Sequence, residues 1–137
     1  MTTVRTIAAV TALTWIGFGG WLLLDPAALL RAFDVADAPP MFLAELRAFY
    51  GGVEIGIGVV IALLIRRQPD AAALVGATTL LGAATGRIIG MLVDAASLLL
   101  AAFAGLELLG AGLNLWAWRC ARRGDNALVP SETEQMP

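Results

Sequence analysis

The stretch AAALVGATTLLGAATGRIIGMLV, residues 71–93, carries one charge, Arg87, in a run long enough to cross a bilayer. A helix rises about 1.5 Å per residue, so about 20 apolar residues span a hydrocarbon core of roughly 30 Å. Three other stretches share this character: residues 6–24 with no charge, residues 48–65 with only Glu54, and residues 95–118 with only Glu107. The sequence therefore predicts an all-α integral membrane four-helix bundle.

A soluble four-helix domain would need charges recurring along each helix to meet water. Here 59% of residues are hydrophobic and 15% are charged, and the charges fall mostly between the apolar stretches. We predict one four-span membrane domain over residues 1–123, followed by a polar, disordered cytoplasmic tail over residues 124–137. The net charge of −2 and the lack of a basic patch argue against a nucleic-acid partner.

Arginine placement predicts the orientation, since the chain has no lysine. Cytoplasmic connectors are enriched in basic residues. Arg5 precedes the first span, Arg66 and Arg67 follow the second, and Arg119, Arg122 and Arg123 follow the fourth. In a four-span chain these positions all lie on the same side of the membrane. Both termini should therefore be cytoplasmic. The first span could instead be a cleaved signal peptide, but it is long and has no convincing small-x-small cleavage site, so we expect a retained helix.

The connector after the first span has a helix start of its own at Asp25-Pro26. Residues 27–35 mix apolar side chains with Arg31 and Asp34, which predicts a short interfacial helix on the outer surface. Pro39-Pro40 should end this segment and let the second span begin near Met41.

Glu54, Arg87 and Glu107 are costly inside a membrane, each about 2.5 to 3.5 kcal/mol at the bilayer centre on insertion scales. Glu54 and Glu107 each lie about twelve residues, or roughly 18 Å, from the arginines at the cytoplasmic side. Arg87 has a long side chain and can reach the same depth. We therefore predict that the three residues form one cluster near the midplane.

Helical spacing extends this cluster into a polar column from the outer surface to about the midplane, with Asn114 as a polar candidate in the drier inner half. Arg47 and Tyr50 share a face with Glu54, Asp94 shares one with Arg87, and Asn114 shares one with Glu107. Two glutamates and one arginine leave a surplus negative charge, which would favour one protonated carboxyl, whereas a contribution from Arg47 would make a neutral network. The cluster could therefore be structural ion pairing, a pocket for a ligand or lipid headgroup, or a proton-coupled or catalytic site.

Glycines recur every four residues on two spans, a spacing that lets helices approach closely. We predict helix packing, within the bundle or in a homo-oligomer, at Gly51, Gly52, Gly56, Gly82, Gly86 and Gly90.

The residue types limit the chemistry. The chain has no histidine and one cysteine, Cys120, so it lacks the commonest metal ligand and general base. We expect no catalytic residue, metal or haem, and membrane lipids as partners, with a quinone or lipid open as a ligand.

The segment Arg47-Ala-Phe-Tyr-Gly-Gly52, Gly86-Arg87 with Asp94, and Glu107 resemble the bacterial four-helix membrane family known as domain of unknown function 4345, which is distantly similar to DoxX-type proteins. The resemblance covers the chain up to about Arg123. It implies four helices in a bacterial inner membrane and supplies no activity. The residues it highlights are Arg47, Tyr50, Gly51, Gly52, Arg87, Asp94 and Glu107. Relatives tend to have glycine where this chain has Ala95.

Two functions follow as hypotheses. The first is a small accessory subunit that docks a larger membrane complex through its glycine faces and buried charges. The second is binding or proton-coupled transport of a small solute or lipophile, such as a quinone, through an outward-facing polar pocket. A redox role rests only on the analogy with DoxX-type proteins.

Overall fold

The computed structural model describes residues 1–126, which form five helices and no strand. They are α1 (Thr2–Leu24), α2 (Ala27–Ala32), α3 (Pro40–Leu64), α4 (Pro69–Val93) and α5 (Leu98–Asn126). All except α2 are long and apolar enough to span a membrane, which confirms the predicted architecture. Helix α5 extends to Asn126, and the rest of the predicted tail lies outside the described residues.

The helix boundaries follow local signals in the sequence. Pro40 and Pro69 occupy the first turns of α3 and α4, where the missing N–H costs no hydrogen bond. Pro26 precedes α2 at its N-cap position. Asp34, just beyond α2, has φ 55°, a left-handed conformation that ends the helix and redirects the chain.

An ion pair joins Asp25, the residue after α1, to Arg31 in the last turn of α2. The Arg31 guanidinium donates hydrogen bonds to the Asp25 carboxylate, and both side chains are largely exposed. This hydrogen bond is the main reason that the pKa of Asp25 lies below its usual value of 3.8.

We expect Arg31→Gln to raise the pKa of Asp25 toward the usual value. The native pair favours the folded connection above the unfolded pKa of Asp25, and this contribution is lost as pH falls through the lower folded value. A carboxyl-carbon NMR titration in micelles measures the change. An unchanged titration in the variant would contradict the assignment of Arg31 as the cause.

The long helices form two hairpins. Helix α1 packs along α3, and α4 packs along α5. Small residues bring α1 and α3 together: a Cβ added to Gly19 would lie 2.8 Å from the Gly51 carbonyl oxygen, and one added to Gly58 would lie 2.7 Å from the Ala12 carbonyl oxygen. Such contacts let the two backbones touch without intervening side chains.

The hairpins join most tightly at the end of the bundle that holds the start of α1 and the last turns of α5, which we call the terminus end. Val4 packs there with Ala73, Ala117 and Ala121, all buried. Many large apolar side chains point away from the bundle, among them Leu13, Leu63 and Leu92 with 69%, 73% and 81% exposure. Outward leucines on long apolar helices are typical of a membrane protein.

At the other end, which we call the α2 end, the hairpins separate. Helix α3 makes few contacts with α5. It also contains a π-helical segment, Arg47–Val53, just before Glu54. Single π-helical turns within α-helices occur frequently at functional sites. The separation leaves room for a cleft between the hairpins.

Candidate functional site

All four long helices contribute to a cleft of about 580 Å³ between the two hairpins. Ligand pockets in proteins commonly have volumes of this order. The residues that line the cleft are Thr14, Trp15 and Phe18 of α1, Tyr50 and Glu54 of α3, Leu80, Gly82, Ala83, Gly86, Arg87 and Gly90 of α4, and Leu100, Phe103, Leu106 and Glu107 of α5.

Arg87 and Glu107 form an ion pair in the wall of the cleft. Arg87 Nε donates to both Glu107 carboxylate oxygens, at 2.9 and 3.0 Å. The guanidinium carbon also lies 5.1 Å from the centre of the Phe103 ring, a cation–π distance. The structure thus pairs two of the three charges that the sequence placed in one cluster, and it places all three in the lining of one cleft.

Glu54 lines the same cleft but has no such partner. Its side chain is 8% exposed, and Glu54 Oε2 is buried without a hydrogen-bond partner among the described residues. The close approach of α1 at Gly19 covers one side of Glu54, since a Cβ at Gly19 would lie 3.0 Å from Glu54 Cβ. A buried polar atom without a partner is costly, so this oxygen indicates a site for a proton or a ligand.

Aromatic side chains form much of the remaining wall. Phe18 and Phe103 meet edge to face at 6.4 Å and connect α1 with α5. Trp15 and Tyr50 also line the cleft. The indole nitrogen of Trp15 is buried and has no acceptor among residues 1–126. Two residues of the cleft wall, Trp15 and Glu54, therefore each carry a buried polar atom without a partner in the described chain.

Arg47 does not join the cluster, although the sequence left that arrangement open. Its side chain is exposed, and its Nε donates to the carbonyl oxygen of Leu23 at 3.3 Å. It forms no ion pair within the described part of the chain. A π-helical turn holds more residues than an α-helical turn. The π-helical segment before Glu54 therefore changes the angle around the helix axis between the Arg47 and Glu54 side chains.

Asp94 and Asn114 also lie outside the cleft. Asp94 is exposed at the C-terminal end of α4. Asn114 is 1% exposed and donates from Nδ2 to Thr11 Oγ1 at 2.8 Å and to the Gly110 carbonyl oxygen at 2.9 Å. Asn114 therefore connects α1 with α5 inside the bundle, apart from the cleft.

The predicted packing glycines have different surroundings within the bundle, and packing in a homo-oligomer stays a prediction. Gly51 packs on α1, where a Cβ would meet the Leu23 backbone at 3.0 Å. The other predicted packing glycines are Gly52, Gly56, Gly82, Gly86 and Gly90. A Cβ added to any of them would meet nothing closer than 3.9 Å within the described chain. These five do not pack helices together within the bundle. The last three line the cleft instead, and their missing side chains help keep it open.

Two features of the structure, one in the cleft and one outside it, escaped sequence reasoning. One is Phe18, which follows Trp15 by three residues and therefore shares its helical face. The other is the set of close-packed glycines, Gly19, Gly58 and Gly76. Gly76 makes room for Asn114, because a Cβ there would lie 2.7 Å from Asn114 Oδ1.

A second, mostly apolar cavity of about 520 Å³ lies between α2 and the first turns of α3. Its wall includes Leu29, Phe33, Phe42 and Glu45. Tyr50 lines both this cavity and the cleft. The Tyr50 side chain therefore stands between the α2 connection and the interior of the bundle.

Comparison with known proteins identifies a family. The family model described as "Domain of unknown function (DUF4345)" matches residues 3–118, most of the chain. The chain therefore belongs to this family, as its motifs suggested. No curated protein and no solved structure matches it.

Proposed function

We propose that this protein is a membrane-embedded binding protein for a small amphiphilic molecule, which occupies the cleft between the two hairpins. The observation that carries the proposal is the buried, unpartnered Oε2 of Glu54 in the wall of that cleft. A cluster that served only to hold helices together would be expected to satisfy its buried polar groups. Arg87 and Glu107 meet that expectation, and Glu54 does not.

The family resemblance suggests a bacterial inner membrane, and the arginine distribution supports an orientation with both termini in the cytoplasm. In that orientation the α2 end faces outward, and the cleft opens in the outer half of the membrane. The cavity beside α2 then offers a route from the outer leaflet, with Tyr50 between the two spaces.

Binding fits the geometry better than passage across the membrane. The terminus end is closed by contacts among buried apolar residues of α1, α3 and α4, namely Ala8, Ala12, Ile61 and Ala72. An accessory role in a larger complex was the first hypothesis from the sequence. That role was to use glycine faces for docking. Within the described residues, three of those glycines line the cleft, namely Gly82, Gly86 and Gly90, which favours ligand binding over docking.

Filling the cleft tests this proposal. A Cβ at Gly86 meets nothing within 4 Å, so Gly86→Leu can place its side chain in the cleft without striking a helix backbone. We expect the variant to fold and to lose about tenfold or more of any small molecule that co-purifies with the wild type in mild detergent. Solvent extraction followed by mass spectrometry measures the bound molecule per protein chain.

Gly112→Leu provides the matched control. Gly112 also has open space around its Cβ position, but it does not line the cleft. The Gly112→Leu variant should retain the wild-type amount of bound molecule. Equal amounts in all three proteins, or no bound molecule in any of them, would contradict the binding role. Co-purification of a larger membrane complex in its place would support the accessory role.

A further inference from the structure

We infer that the molecule bound in the cleft is a lipophilic monocation, with the Glu54 carboxylate as its counter-ion. This inference rests on the proposed binding function and names the chemical class of the ligand. A protonated amine or a quaternary cation attached to an apolar body fits this class.

The charges around the cleft give the first argument. Three charged side chains line it, and Arg87 and Glu107 neutralise each other through two hydrogen bonds. Glu54 is left with a negative charge that no cation in the described chain pairs with. Arg47, on the same helix, is exposed and bonded to the Leu23 carbonyl oxygen. The cleft therefore carries one uncompensated negative charge when Glu54 is ionised.

This charge distinguishes between ligand classes. A monocation would bring the total charge of the cleft to zero, a neutral molecule would leave it unchanged, and an anion would add a second uncompensated negative charge. Because interactions between charges are much stronger in a membrane interior than in water, the difference between a cation and an anion should be large. A proton would compete with the cation for the Glu54 carboxylate, because either one neutralises its charge.

The aromatic wall gives an independent argument. Aromatic ring faces attract organic cations as well as apolar groups. Phe103 already contacts the Arg87 guanidinium, so one aromatic ring of the cleft interacts with a cation in the structure. Trp15, Phe18 and Tyr50 line the same space, and the structure gives none of them a cation within it. These rings can surround the apolar and cationic parts of a ligand beside Glu54.

Two probes of the same shape and opposite charge test the inference. Tetraphenylphosphonium and tetraphenylborate are titrated into purified full-length protein in a nonionic detergent and followed by calorimetry. Binding is taken as the difference from Gly86→Leu, so that partition into the micelle cancels. We expect saturable binding of the phosphonium, at least about tenfold tighter than that of the borate.

Two variants identify Glu54 as the counter-ion. Glu54→Gln should weaken phosphonium binding by about tenfold or more, because it removes the charge and keeps the size of the side chain. Glu54→Asp keeps the charge and should keep the preference for the cation. Circular dichroism and size-exclusion chromatography confirm that each variant is folded. Should Glu54→Gln fail to fold, the ratio of the two affinities in the wild type decides the matter.

Three results would overturn the inference: borate binding as tight as phosphonium binding, unchanged phosphonium affinity in folded Glu54→Gln, or no phosphonium binding to the wild type. The binding function itself is judged separately by co-purification. A neutral or anionic molecule lost from Gly86→Leu, with no phosphonium binding, would reject the cation and leave the binding function intact. If Gly86→Leu also loses no bound molecule, both the cationic ligand and the binding function are rejected.

Discussion

Arg87→Gln is expected to destabilise the protein strongly, because it removes the only cation that lines the cleft in the described structure and leaves Glu54 and Glu107 together. Breaking a buried ion pair by removing one partner costs about 3–5 kcal/mol. The Arg87 and Glu107 side chains are 20% and 14% exposed, so a value near the lower end of that range is expected here. Denaturant unfolding in mixed micelles, followed by circular dichroism, measures the change.

The double variant Arg87→Gln/Glu107→Gln separates the loss of the pair from the strain of an unpaired charge. It removes both charges and leaves two amides of similar size, so most of the stability should return. Asp25→Asn breaks the exposed pair with Arg31 and should have little effect, as is typical of surface ion pairs. If the double variant is as unstable as Arg87→Gln, repulsion between the remaining carboxylates is not the cause.

Local patterns in the sequence were enough to predict the helices. Each long helix corresponds to one apolar run, and Pro40 and Pro69 mark two of the helix starts. The contact between Arg87 and Glu107 was also accessible, because two isolated charges at similar depth in a membrane have a strong reason to meet. These features depend on composition and on distance along one helix.

Features that depend on how two helices are rotated against each other could not be read from one helix alone. The π-helical segment changes the facing of residues on either side of it, and this separates Arg47 from the cluster. The spacing of Gly82, Gly86 and Gly90 is the same whether they face another helix or a cleft. Only the placement of α1 and α5 against α4 makes them part of the cleft.

Gly58→Ala is expected to destabilise the protein because α1 leaves no room for a methyl group at this position. The added Cβ would lie 2.6 Å from Ile16 Cγ1, 2.7 Å from the Ala12 carbonyl oxygen and 3.0 Å from the Ile16 backbone nitrogen. Rotating the Ile16 side chain can relieve only the first of these contacts. The α1 and α3 backbones must move apart, and overpacking of this kind typically costs about 1–3 kcal/mol.

Gly56→Ala is the matched control, since it makes the same chemical change two residues away on the same helix. A Cβ at Gly56 meets nothing within 4 Å, and alanine favours a helix over glycine by about 0.8–1.0 kcal/mol, so this variant should be as stable as the wild type or more stable. Unfolding in mixed micelles compares the two directly. If both variants gain stability, α1 and α3 do not meet at Gly58. If both lose it, the cause is a general intolerance of α3 to alanine and not the contact with Ala12 and Ile16.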